Sequence, residues 1–232
     1  MRFYSIKRIV LILLASLLAT ASFATETIEI KLKFTPDLKN GKSVYEICAT
    51  CHLPEGWGNT DGGYPQIAGQ HENVLIKQLL DIRSGFRENP AMYPFVQERT
   101  IGGYQSLADV VAYVSTLPMH PRHRKGPWTD FRKEFNQGKK LYQSNCSTCH
   151  GKGGEGKNAE SIPQLYGQHY PYLLRQVKQV KNGQRKVNGA MQAIISGMSE
   201  DELKKIVNYI SYLPVPENKK APSLNWRNKD FN

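Results

Sequence analysis

The sequence predicts an all-α chain made of two copies of one small helical module, and three observations carry that prediction. Apolar residues recur at helical rather than alternating spacing, with no convincing strand pattern. The chain matches itself in register at an offset of 98 residues. Each copy holds one run of the form Cys-x-x-Cys-His, Cys48–His52 and Cys146–His150, and these two runs use all four cysteines of the 232 residues.

The elements of the two copies can be set side by side. The first helix runs from about Gly41, or Gly138, into the cysteine run, with Tyr45 and Tyr142 each four residues after the glycine. A glycine-rich loop follows, Gly56 to Gly63 in one copy and Gly151 to Gly156 in the other. Then Tyr64-Pro65-Gln66-Ile67-Ala68-Gly69-Gln70-His71 matches Ile162-Pro163-Gln164-Leu165-Tyr166-Gly167-Gln168-His169, each proline 13 residues after the histidine of its run. A second helix is predicted from about His71 to Ser84 and from about His169 to Asn182. Leu75, Leu79 and Ile82, like Leu173, Val177 and Val180, fall at i, i+4 and i+7. Gly85 and Gly183 read as its C-terminal caps. The last helix carries Leu107, Val110, Val111, Val114 and Leu117, matched by Leu203, Ile206, Val207, Ile210 and Leu213, and it stops before Pro118 or Pro214. Ser199 with Glu200, Asp201 and Glu202 marks a capped, acidic helix start.

Residues 1–24 read as an export signal: Arg2, Lys7 and Arg8, an apolar run from Ile9 to Leu18, and Ser22-Phe23-Ala24 before the cut. An uncleaved anchor is the alternative, although the apolar run is short for a span. The remaining division is 25–118 and 134–214 for the two domains, 119–133 for a basic linker, and 215–232 for a proline-rich, basic tail, draped or loose. The formal charge of +11 falls to +8 once the three basic residues of the signal are removed. Export argues against a nucleic-acid partner. The charge suits acidic protein partners or peripheral contact with an anionic membrane surface.

Cys-x-x-Cys-His is the attachment signature of a c-type haem. On a helix, positions i, i+3 and i+4 share a face, so two thiols meet the porphyrin vinyl groups and the imidazole reaches iron. Two disulfides, one shared zinc or a pair of redox dithiols would also use four cysteines. None of these requires a histidine after both second cysteines. Two covalent haem c groups are therefore expected, on Cys48 and Cys51 with His52, and on Cys146 and Cys149 with His150.

For the sixth ligand each copy offers a methionine beyond its second helix, Met92 in Asn89-Pro90-Ala91-Met92 and Met191 in Asn188-Gly189-Ala190-Met191. A soft thioether suits low-spin iron and favours its reduced state. Met198 lies within reach but has no counterpart in the first copy, and Met119 is in the linker. His71 and His169 recur at a helix start, where a polar capping role is expected over ligation. His120 and His123 have no counterparts and read as surface residues. Pro65 and Pro163 are expected to offer a carbonyl to the remaining ring proton of the haem histidine. Arg83, Arg87, Lys181 and Arg185 are candidates for pairing propionates.

Taken together, these residues resemble the dihaem cytochrome c4 family over nearly all of the chain after the signal. The two Cys-x-x-Cys-His runs, the paired Pro-Gln-x-x-Gly-Gln segments, Met92, Met191 and the last helices carry the resemblance. It implies two tandem class I cytochrome c domains, each a small helical fold around one covalent haem c, related by approximate two-fold symmetry. It also implies that Gly41 with Tyr45, and Gly138 with Tyr142, pack against Tyr113 and Tyr209 of the last helices. The expected function is single-electron transfer between a membrane complex or dehydrogenase and a terminal oxidase or reductase, in the periplasm. The first alternative is a dihaem subunit of a dehydrogenase, such as a flavocytochrome c sulfide dehydrogenase. A haem enzyme of peroxidase or thiosulfate-oxidising type is the second, and no cysteine remains to supply it a thiolate ligand.

Overall fold

The computed structural model describes residues 34–231, and the export signal read over 1–24 lies outside them. The first copy contains α1 (Leu38–His52), α2 (Glu72–Arg83), α3 (Glu98–Ile101) and α4 (Tyr104–Thr116). The second contains α5 (Phe131–Asn145), α6 (Ser147–His150), α7 (Tyr170–Lys181), α8 (Gly189–Gly197) and α9 (Glu200–Ser211). Among the described residues the only extended pairings are isolated bridges, so no sheet forms. None of these helices is long and apolar enough to cross a membrane.

The first helices begin earlier than expected because acidic caps start them. The Asp37 carboxylate accepts from the Lys39 and Asn40 amides at 2.8 and 3.2 Å, and Asp130 accepts from the Lys133 amide at 3.1 Å. Gly41 and Gly138 therefore sit inside helices, where they let two backbones touch. A Cβ on Gly41 would lie 2.2 Å from the Asp109 carbonyl oxygen, and one on Gly138 would lie 2.4 Å from that of Lys205. Here α1 crosses α4 and α5 crosses α9. The Tyr45–Tyr113 and Tyr142–Tyr209 ring pairs, each with centroids 5.5 Å apart, fill the space beside the crossings. Two buried clusters result, one around Tyr45, Ile76, Leu107 and Val111, the other around Tyr142, Val180, Leu203 and Val207.

The copies differ after their second helices. The first inserts a 3-10 turn (Tyr93–Val96) and α3, whereas the second has the single helix α8. They differ again at the cysteine runs. In the first copy α1 continues unbroken to His52, while Cys146 (φ −119°, ψ −35°) separates α5 from α6.

The linker and tail are packed. The Met119 amide donates to the Lys219 carbonyl at 2.7 Å and the Ala221 amide donates to that of Met119 at 2.9 Å. From there the tail leaves the second copy and closes on the first. Trp226 lies 5.8 Å from Trp57, and Phe231 meets Tyr45 edge-on at 5.7 Å. The Asn228 amide donates to the Pro54 carbonyl and the Tyr113 hydroxyl at 2.8 and 2.9 Å.

The surface placement expected for the two linker histidines is corrected. His120 is half-buried with its ring 4.5 Å from that of Trp57, and His123 is only 8% exposed. The linker folds back over α9, and His123 Nε2 donates to the Ser211 carbonyl at 2.7 Å while Nδ1 has no partner. Burial, with Lys125, His120 and His169 nearby, pushes its pKa down to about 4 from 6.5. The unfolded chain then binds the extra proton between those values. Stability is full above pH 6.5, falls as pH drops toward 4, and is level below it. A fall of about 3 kcal/mol corresponds to that shift. Denaturant unfolding of His123→Gln across this range should lack that part of the pH dependence.

Candidate functional site

The first Cys-x-x-Cys-His run lies wholly within α1, whereas in the second Cys146 stands before α6, the short helix that carries Cys149 and His150. No two of the four cysteines pair as a disulfide. Among the described residues no three His, Cys, Asp or Glu side chains group as metal ligands, so the runs do not share a zinc site. Burial pushes the Cys48 and Cys146 thiols up to about 11, the opposite of what a reactive redox dithiol needs.

The histidines are fixed through one ring nitrogen. His52 Nδ1 lies 3.0 Å from the Pro65 carbonyl oxygen, and His150 Nδ1 lies 3.1 Å from that of Pro163. Each Nδ1 donates there, which leaves Nε2 as the atom to bind a metal. Burial also lowers both imidazole pKa values, against the raising effect of the carbonyls, and so favours the neutral ligand form. The loops that bring these prolines round depend on glycines such as Gly58 and Gly156. Both have positive φ (64° and 66°), and a Cβ there would strike the Tyr64 or Ile162 carbonyl oxygen at 2.3 or 2.4 Å.

The two methionines are half-buried and are held by a device without a role in the sequence reading. The Asn89 side-chain oxygen accepts from the Met92 amide at 3.3 Å, and that of Asn188 from the Met191 amide at 2.8 Å. The asparagine three residues before each methionine was the available signal. Met191 sits in α8 and packs on the second cluster. Met92 occupies the turn before the 3-10 segment. Met198 belongs to the second core at 8% exposure, and Met119 is buried at 2% where linker and tail pair.

Where the two copies meet, most bonds come in pairs related by a two-fold. The Gln66 amide donates to Gln168 Oε1, and the Gln164 amide donates to Gln70 Oε1, both at 3.1 Å. His71 and His169 stand at the N-cap positions of α2 and α7 but make no side-chain cap bond, which corrects the capping role. Their rings reach across instead. His71 Nε2 lies 2.8 Å from the Glu155 carbonyl oxygen and His169 Nε2 lies 2.8 Å from that of Trp57. The matched Pro-Gln-x-x-Gly-Gln-His segments therefore build the seam between copies, which no single copy could reveal.

Arg87 and Arg185 face each other at this seam. Arg87 donates to Gln78 of its own copy, and across the seam to Gln176 at 3.1 Å and the Tyr172 hydroxyl at 3.2 Å. Arg185 donates to Gln176 and, across the seam, to Gln78 at 3.1 Å. Burial and then the neighbouring Arg87 push Arg185 down to about 10. Among the described residues no carboxylate forms an ion pair with either guanidinium. The charge of Asp81 reaches Arg185, yet the side-chain hydrogen bonds of both guanidinium groups go only to amide and hydroxyl acceptors, and two such converging cations fit anionic groups such as haem propionates. Lys181 is spent locally on the Ser196 and Met198 carbonyls, while Arg83 uses Nε on the Val96 carbonyl at 2.6 Å and keeps a buried Nη2 without a partner, which leaves it open to an anionic group. A haem bound to these residues would supply an iron that changes charge by one electron.

Comparison with known proteins bears on the family and the fold. The family model "Cytochrome c" matches residues 38–118, and "Cytochrome C oxidase, cbb3-type, subunit III" matches residues 133–210. Cytochrome c4 of Azotobacter vinelandii is 27% identical over 76% of this chain and 89% of its own. A protein of Stutzerimonas stutzeri named thiosulfate dehydrogenase electron acceptor is 33% identical over 71% of this chain and 77% of its own. The crystal structure of reduced recombinant cytochrome c4 from Pseudomonas stutzeri superposes with a TM-score of 0.66 at 26% identity, covering 77% of this chain and all of that one. The chain belongs to the dihaem cytochrome c4-like family and is an electron carrier with two tandem cytochrome c domains and two covalently bound haem c groups.

Proposed function

We propose that this cytochrome is an exported, periplasmic carrier that passes single electrons between protein partners of a respiratory chain and performs no bond chemistry itself. Cys48 and Cys51 hold one haem and Cys146 and Cys149 the other. His52 with Met92, and His150 with Met191, are the axial pairs, and Arg87 and Arg185 receive propionates. The observation that carries the reading is a pair of anchored side chains repeated in both copies. Each copy has a histidine turned by a proline carbonyl and a methionine whose amide is held by an asparagine. With both axial positions filled, oxidation alters little besides charge, as a carrier requires. Optical and magnetic spectra test it. The wild type should show two low-spin centres with a methionine-to-iron band, and Met92→Ala and Met191→Ala should each remove about half of that band. A high-spin iron in the wild type that binds cyanide rapidly would sink the assignment.

A dedicated electron-acceptor subunit of a dehydrogenase is the second reading, supported by the name of the Stutzerimonas stutzeri relative. Co-purification with a larger oxidoreductase that survives high salt would favour it over a free carrier.

A further inference from the structure

The seam touches the haem histidines through one peptide group each. The carbonyl that accepts from His52 Nδ1 belongs to Pro65, and the N–H of that same peptide is the amide of Gln66. This N–H donates to Gln168 Oε1 of the second copy at 3.1 Å, while Gln168 Nε2 donates back to the Gln66 carbonyl at 2.8 Å. The reverse arrangement repeats every term. The Pro163 carbonyl accepts from His150, the Gln164 amide of that peptide donates to Gln70 Oε1 at 3.1 Å, and Gln70 Nε2 donates to the Gln164 carbonyl at 3.1 Å. Both amide orientations are over-determined. Each Oε1 also receives the amide of the next residue, His169 at 3.1 Å or His71 at 3.0 Å. A flipped side chain would set NH2 against two N–H groups.

Hydrogen bonds in a chain polarise one another, by roughly 10–30% per bond. A peptide whose N–H is engaged has a stronger carbonyl acceptor. That carbonyl draws the Nδ1 proton of the histidine, makes the imidazole a more basic ligand and favours ferric iron. We infer that Gln168 and Gln70 are positioning residues that act across the seam, each lowering the reduction potential of the haem held by the other copy. The arrangement makes the docking of the two domains part of the tuning of each iron. The inference rests on the proposed ligation by His52 and His150.

The test uses the haem-loaded full chain. Gln168→Met and Gln70→Met keep side-chain volume and remove the amide. Spectroelectrochemical titration reads both potentials, and haem-methyl NMR assigns each to its copy. Gln168→Met should raise the potential of the first-copy haem and leave the other unchanged, and Gln70→Met should do the reverse. The NMR signal of the corresponding histidine Nδ1–H should move upfield as its acceptor weakens. Asn158→Ala is the control, because it deletes the 3.0 Å seam bond from the Asn73 amide and touches neither histidine peptide. Shifts confined to the haem of the mutated copy overturn the inference. So do unchanged potentials in folded variants, or equal shifts in Asn158→Ala. Failure of the ligation itself is separate, since the wild type would then lack two low-spin histidine–methionine centres.

Discussion

Gly41→Val should destabilise the first copy by about 3 kcal/mol and spare the second, the upper range for overpacking a close contact. The reason is that the clash is with backbone. Even the first atom of a side chain would lie 2.2 Å from the Asp109 carbonyl oxygen and 2.7 Å from its carbon. The two helices must separate, and separation breaks more than that contact. Asp109 also accepts from the Asp37 amide at 2.8 Å and the Asn40 side chain at 2.7 Å, so the acid is 1% exposed only while the crossing is closed. Gly138→Val should act alike in the second copy, where the Cβ would lie 2.4 Å from the Lys205 carbonyl oxygen. Denaturant unfolding followed by haem absorbance should resolve one transition shifted and one unmoved. Coincident shifts of both would mean that the copies unfold as a single unit.

Removal of residues 217–232 should likewise weaken the first copy, although those residues follow the second. The tail brings Trp226 and Phe231 onto the first cluster as partly buried rings, and Ala221 into it at 4% exposure. It also satisfies the Tyr113 hydroxyl, which donates to Asp230 at 2.8 Å and accepts from Asn228. Two half-buried aromatic rings and those bonds amount to roughly 3 kcal/mol. The second copy retains its core through Val215, which is 4% exposed. Thermal unfolding of the truncated protein should show the first copy melting earlier. Trp226→Ala alone should reproduce part of the effect.

What the sequence revealed depended on repetition. Helices α2, α4, α7 and α9 were legible because apolar residues at one spacing occur twice. Pro65 and Pro163 could be named because both stand 13 residues after a histidine. Features without a partner in the other copy were misread or passed over. His123 has no match, and its burial depends on a linker that folds over α9, which leaves no periodic trace. Trp226 and Phe231 lie in a tail without helical pattern. The seam is a different case. Gln66, Gln70, Gln164 and Gln168 were matched in sequence, yet their bonds run between residues 94 or 102 apart. Their purpose exists only once two modules are docked. The starts of α1 and α5 were available in Asp37 and Asp130, whose capping the glycines obscured.

The route of the tail also has a consequence in time. Asn228 bonds to Pro54, 174 residues earlier, and everything between them includes the whole second copy. A ribosome produces the first module early and its closing strap late. Until the tail is made, the first module lacks the Phe231 and Trp226 rings that pack on Tyr45 and Trp57. The half of the chain made first takes its last packing rings from the end that is made last.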